Sequence, residues 1–102
     1  MMKRKARIDR NHIVYQITCV TTGEFYIGIT VGSLLKQLKV RVQKHVRRAL
    51  TESRDWNLCK AIREYQPENF EYQILEIIRG KPQAHVRERE LINELFPALN
   101  TQ

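Results

Sequence analysis

The chain has 102 residues, 42% hydrophobic and 28% charged, with a net charge of +7 and a pI near 9.8. That length supports one domain with a single modest core and excludes a second. No apolar run is long enough to cross a bilayer and no hydrophobic segment follows the basic N-terminus as in a signal peptide, so a cytoplasmic protein without a membrane partner is expected.

Residues 1 to 10 carry no hydrophobic period and read as a flexible basic arm, with the folded domain over 11–102. Lys3, Arg4, Lys5, Arg7 and Arg10 stand there against Asp9 alone. From His12 to Thr30 two runs rich in β-branched and aromatic residues flank Thr21-Thr22-Gly23-Glu24, the pattern of a β-hairpin. Ile13, Tyr15 and Ile17 share one face of its first strand, and Val14, Gln16 and Thr18 the other. Tyr15 and Tyr26 stand near each other if the register allows. Gly28 inside the second strand marks a bulge or a close approach of a ligand or another backbone.

Val31-Gly32-Ser33 reads as a turn, with Ser33 as N-cap of a helix running to about Leu50. Leu35, Leu38, Val42, Val46 and Ala49 form its expected buried stripe, and Arg41, His45 and Arg48 a separate one. Lys36, Lys39, Arg41, Lys44, Arg47, Arg48 and Arg54 gather along this region against Glu52. With the N-terminal group they make up twelve of the eighteen basic residues; beyond Lys60 acids slightly outnumber bases. So lopsided a distribution reads as the footprint of a phosphate backbone, the bland alternatives being a solubilising surface or an anionic-membrane contact.

A second helix is expected from Arg54-Asp55, carrying Trp56, Cys59 and Ile62 and stopped by Pro67. Asn69 to Ile78 alternates and then turns fully apolar, a third strand buried at its far end. Gly80-Lys81-Pro82 is a breaker. A third helix then spans Gln83 to Leu95, with Val86, Leu91, Ile92 and Leu95 inward, and Pro97 ends it. The order β-β-α-α-β-α implies an α+β fold, a small mixed or antiparallel three-stranded sheet flanked by three helices. Cys19 and Cys59, without CxxC spacing, read as reduced, buried thiols.

Hydrolysing a phosphodiester needs a base for water, a cation on the phosphate and a metal or acid for the leaving oxygen. The polar inventory supplies each part once, but so do most small domains. Order and spacing carry more. Ile13-Val14-Tyr15, Tyr26-Ile27-Gly28, Arg41 four residues before His45, Glu88 four before Ile92, and Asn100 after Phe-Pro-Ala-Leu follow one another along the chain. In these five pieces, from His12 to Asn100, the sequence resembles the GIY-YIG nuclease family. Two departures stand out: Ile13 replaces the glycine that opens the first motif, and the segment from Gly28 to Arg41 is longer than in compact members.

The resemblance implies a role for each matched residue. Tyr15 accepts the proton of the attacking water or orients it, which requires cationic neighbours or a metal to favour phenolate, since a free phenol has a pKa of about 10. Tyr26 positions the phosphate or supports Tyr15. Arg41 grips the scissile phosphate in a bidentate fork, and His45 hydrogen-bonds the nucleophile or the phosphate. Glu88 holds one divalent ion, Mg²⁺ or Mn²⁺, whose remaining positions go to water and phosphate oxygens. Gly28 serves the backbone, and Asn100 orients the metal carboxylate or caps the fold. As plain structure, the tyrosines are sheet aromatics and the charged residues a solvated face. His85 and Glu88 share a helix face, but a zinc site needs further ligands.

The implied function is a metal-dependent endonuclease acting on double-stranded DNA, nicking one strand as a monomer or weak homodimer, without a small-molecule cofactor. Lys3, Arg4, Lys5, Arg7, Lys36, Lys44 and Arg48 are the expected DNA contacts. Small members of the family suggest a phage or mobile-element source. The alternative is a nucleic-acid-binding module that has kept the fold and lost the chemistry. A protein-binding scaffold would expose apolar surface, of which the sequence shows no surplus.

Overall fold

The computed structural model describes residues 10–52 and 56–101. The expected arm contacts Lys3, Arg4, Lys5 and Arg7 and the expected helix start at Arg54-Asp55 lie outside the described residues. The elements are β1 (Asn11–Cys19), β2 (Phe25–Val31), α1 (Leu35–Thr51), α2 (Asn57–Tyr65), a 3-10 turn (Pro67–Asn69), β3 (Phe70–Arg79) and α3 (Lys81–Leu95). The sheet is antiparallel throughout, in the order β2-β1-β3. The expected α+β architecture is therefore present.

Central β1 is the most deeply buried strand because it is covered on both faces. Ile13, Tyr15, Ile17 and Cys19 face a core with Leu38 and Ala49 of α1 and Leu58, Cys59, Ala61 and Ile62 of α2. Val14 points the other way, where Ile27 of β2 and Leu91 of α3 meet it. Each fully buried branched side chain stabilises the fold by about 1.5–3 kcal/mol. Cys19 and Cys59 are buried thiols of the first core.

Several sequence expectations need correction. The third strand is not buried at its far end: it is a sheet edge, and Ile77 is 48% exposed. A register shift between Val14 and Tyr15, which pair with Glu76 and Ile74, leaves Leu75 as an extra residue. That bulge lets Leu75 and Ile78 both reach the α3 side, which strict alternation forbids.

On α1, Leu35 is 57% exposed and His45 takes its place in the buried stripe, beside Leu38 and Ala49. Val86 and Leu95 of α3 are likewise exposed, with Ala84 and Leu91 buried instead. The reason is size. A helix of 17 residues is about 25 Å long, whereas three strands spaced at about 4.8 Å make a narrower platform. Exposed apolar side chains thus exceed what the sequence suggested, Phe96 being 80% exposed. Nor does Ser33 cap α1. Leu34 occupies the cap position, and Gln37 Oε1 accepts from the backbone N–H groups of Ser33 (2.7 Å) and Leu34 (2.9 Å).

The chain after α3 returns along the free edge of β2. Leu99 N–H donates to Phe25 O at 3.0 Å, and Asn100 pairs with Ile27 through both ends of its amide, at 2.9 and 2.8 Å. This segment protects the sheet edge. It also closes one wall of the site.

Candidate active site

The register pairs Ile17 with Tyr26 and Tyr15 with Gly28, so both tyrosines stand on the α1 side of the sheet. Their ring centroids are 6.1 Å apart, and His45 of α1 lies 6.2 Å from Tyr15 and 5.2 Å from Tyr26, the latter edge to face. Gly28 makes room for them. A Cβ there would lie 2.7 Å from Tyr15 Oη and 2.7 Å from Tyr26 Cε1. The glycine is needed for space beneath two rings.

Tyr15 is fully buried, and a buried hydroxyl without a partner costs about 1–3 kcal/mol. His45 Nε2 supplies that partner at 2.9 Å. Burial, helped by the positive charges of Arg41 and Arg48, pushes the His45 pKa down to about 4. The imidazole is therefore neutral at physiological pH and can accept the Tyr15 proton. Burial pushes the Tyr15 phenol up, and Arg41 pulls it only partway back. Tyr26 is raised as well, by burial first and by Tyr15 second. Burial thus outweighs the cationic neighbour expected to favour phenolate.

Arg41, one turn before His45, carries a buried Nε with no hydrogen-bond partner. It lines a cleft of about 370 Å³ together with Tyr26, His45 and Arg48. On its other side is a shallower depression of about 340 Å³ bordered by Lys44 and Thr30. Lys36 is exposed on the first turn of α1. Glu88 reaches the site from α3; its negative charge adds to the upward shift of both phenols. Burial raises the Glu88 carboxyl, opposed by His85, whose Nδ1 is 3.5 Å away.

A sequence profile of the GIY-YIG catalytic domain matches residues 11–100. The chain belongs to the GIY-YIG nuclease family. Among solved structures, a mutant catalytic domain of intron endonuclease I-TevI superposes with a TM-score of 0.70 at 23% identity, covering 88% of this chain and 89% of that one. The catalytic domain of homing endonuclease I-TevI gives 0.66 at 24% identity, covering 87% and 92%. These likenesses speak to the fold. No curated protein sequence matches the chain.

The GIY-YIG residues picked out in the sequence fall into two groups. Tyr15, Tyr26, Gly28, Arg41 and His45 converge on one spot, with Glu88 near enough for its charge to act on both phenols. Asn100 stands apart: its amide is taken up by the Ile27 backbone between Tyr26 and Gly28, which makes it a clamp on β2. Asn100→Ala is expected to cost about 1–3 kcal/mol, the penalty for orphaning a partly buried N–H and C=O. A lower urea midpoint at unchanged slope would show it.

Trp56 went unread as a site residue. It was assigned to the apolar stripe of α2, yet it precedes that helix, is 41% exposed and lines the cleft. Spacing alone does not reveal this, because Trp56 stands three residues before buried Cys59, as a member of the helix would; the helix begins only at Asn57.

His45 also predicts a pH dependence. Its folded pKa lies below the ordinary 6.5, so the unfolded chain binds the extra proton first as pH falls. The stabilising contribution is full above pH 6.5 and is lost as pH falls toward 4, by about 3 kcal/mol at most. His45→Gln should flatten the stability profile over that window, as read by urea unfolding at stepped pH. Parallel profiles would show that His45 is not held neutral.

Proposed function

We propose that this chain is a divalent-metal-dependent DNA endonuclease that nicks one strand of a duplex. The observation that carries this reading is the Tyr15–His45 hydrogen bond beside the partnerless Arg41 Nε, at the family positions. Two solved structures of similar fold are catalytic domains of the endonuclease I-TevI. A phosphodiester laid over the half-buried Arg41 would meet the Nη end of its guanidinium, with Arg48 on one side and Lys44 on the other along the strand.

A phenol held above its usual range is a poor standing base, because a catalytic base works best with a pKa near the operating pH. Tyr15 acts instead as a relay. As water attacks phosphorus and a P–O ester bond breaks, the water proton passes to the Tyr26 hydroxyl at the cleft, the Tyr26 proton moves to the enclosed Tyr15 Oη, and the Tyr15 proton moves to His45 Nε2. The imidazolium so formed would be repelled by Arg41 and Arg48 alone. The phosphate's negative charge between them offsets that repulsion, so His45 becomes an effective acceptor once substrate is bound. Tyr26 packs its edge against the pair and keeps it in register.

Among the described residues no cluster of three or more His, Cys, Asp or Glu forms a metal cage. The single half-buried carboxylate of Glu88 fits Mg²⁺ or Mn²⁺, ions that keep several waters and bind through one or two carboxylates and phosphate oxygens. Such an ion supplies charge neutralisation for the leaving oxygen. Glu88 would hold it.

One site on one domain cuts one strand, so the monomer leaves a nick. Supercoiled plasmid incubated with Mg²⁺ should convert to open circle, and EDTA or Glu88→Ala should prevent it. Linear product from the first time point would replace the nicking monomer by a dimer. DNA bound in a salt-dependent way but never cut would leave a binding module.

A further inference from the structure

We infer that the cleft beside Arg41 receives an unstacked nucleobase of the bound strand, laid against Trp56. This rests on reading Arg41 as the phosphate grip, and goes beyond it by assigning the cleft to a base. Gripping a backbone requires cations alone, and Arg41 and Arg48 supply them in the lining. The rest of the lining mixes polar and apolar groups: Tyr26, His45 and Thr101 stand beside nearly buried Leu58, Cys59 and Leu99, and the exposed apolar face is that of Trp56, 41% exposed. An anion gains nothing from that surface. A flat, apolar-faced group tethered to a phosphate does.

The volume of about 370 Å³ lies in the range of small-ligand pockets. The wall is also fixed before anything binds. Asn57, next to Trp56, donates its backbone N–H to Thr101 Oγ1 at 2.8 Å and its Nδ2 to Ala98 O at 3.3 Å. The returning C-terminal segment thereby ties the start of α2 to the edge of β2. Bases inside a duplex cannot reach such a cleft, so the nucleotide must leave the stack. Both ends of the Asn100 amide are committed to Ile27, which removes the obvious reader of a base edge. Stacking on an aromatic face is open to any base.

The single tryptophan makes the test direct. In EDTA, the full chain is titrated with a short oligothymidylate and with a strand of equal length made of abasic sugar phosphates, following Trp56 emission and affinity. The base-bearing strand should quench the emission and bind about 5- to 150-fold more tightly, as expected for about 1–3 kcal/mol of base–aromatic stacking. Trp56→Phe should keep most of that preference and Trp56→Leu should lose it. Equal binding of the two strands by wild type, without quenching, overturns the inference even if plasmid is nicked. A base preference that depends on Trp56 in a protein that never cuts would sustain the inference while the nuclease reading fails.

Discussion

Replacing Arg41 by alanine should slow plasmid cleavage by about three orders of magnitude, the range seen when an arginine or a preorganised donor is removed from a charge-developing transition state. Arg41→Lys should be nearly as slow, because an ammonium cannot reproduce a planar fork. Binding should fall far less, since Arg41 is one phosphate contact among several. Stability should move the opposite way. Arg41 buries an Nε that has no partner and lowers the pKa of His45. Its removal relieves the first penalty at any pH and the second only below about pH 6.5, so at neutral pH the alanine variant should be as stable as wild type or more so, and its His45 should titrate at higher pH. An inactive variant that is also strongly destabilised would mean that Arg41 supports the core. One that cleaves within tenfold of wild type would remove it from the phosphate.

The same contrast between chemistry and packing explains what could be read from the chain. The hairpin was legible because alternation in Ile13 to Ile17 and the turn at Gly23 are local signals, and local signals survive folding. The α1 stripe was legible only in part. Helical period identifies positions that share a face, but the sheet decides how much of that face is covered, which is why Leu35 is exposed while His45 is buried. The bulge at Leu75 was hidden for a related reason: it is a property of the pairing between β1 and β3, and neither strand announces it alone.

For the site, the residue types and their order pointed to Tyr15, Tyr26, Arg41, His45 and Glu88, and the hairpin register brings the tyrosines together with His45. What spacing could not provide was the partner of each group. That Tyr15 bonds His45, that Asn100 bonds Ile27 and that Trp56 faces the cleft are all long-range facts, set by how α1 and the C-terminal segment dock on β2. The electrostatic outcome depended on the same docking. The role implied for Tyr15 requires a cation or a metal to favour phenolate, yet burial of the ring raises the phenol and Arg41 offsets this only in part.

Gly28→Ala should cost about 1–3 kcal/mol and reduce cleavage by about a hundredfold or more. Gly28 does not have a positive φ, so alanine meets no backbone penalty there. The whole effect is steric. The added methyl would stand 2.7 Å from Tyr15 Oη and 2.7 Å from Tyr26 Cε1, and neither ring can yield freely. Tyr15 has no exposed surface and is held by His45, so relief must come from lengthening that 2.9 Å bond or from spreading the hairpin. Either movement displaces the hydroxyl meant to relay the water proton. Gly23→Ala is the matched control. At Gly23 φ is +78° and a Cβ would meet nothing within 4 Å, so alanine is strained by backbone and not by contact. It should lose about 1–2 kcal/mol and keep its cleavage rate. Measured by urea midpoint and plasmid cleavage under folding conditions, the two variants should separate: comparable loss of stability, with activity lost only at Gly28. Equal retention of activity in both would mean that the Tyr15 hydroxyl tolerates displacement and is not the proton relay.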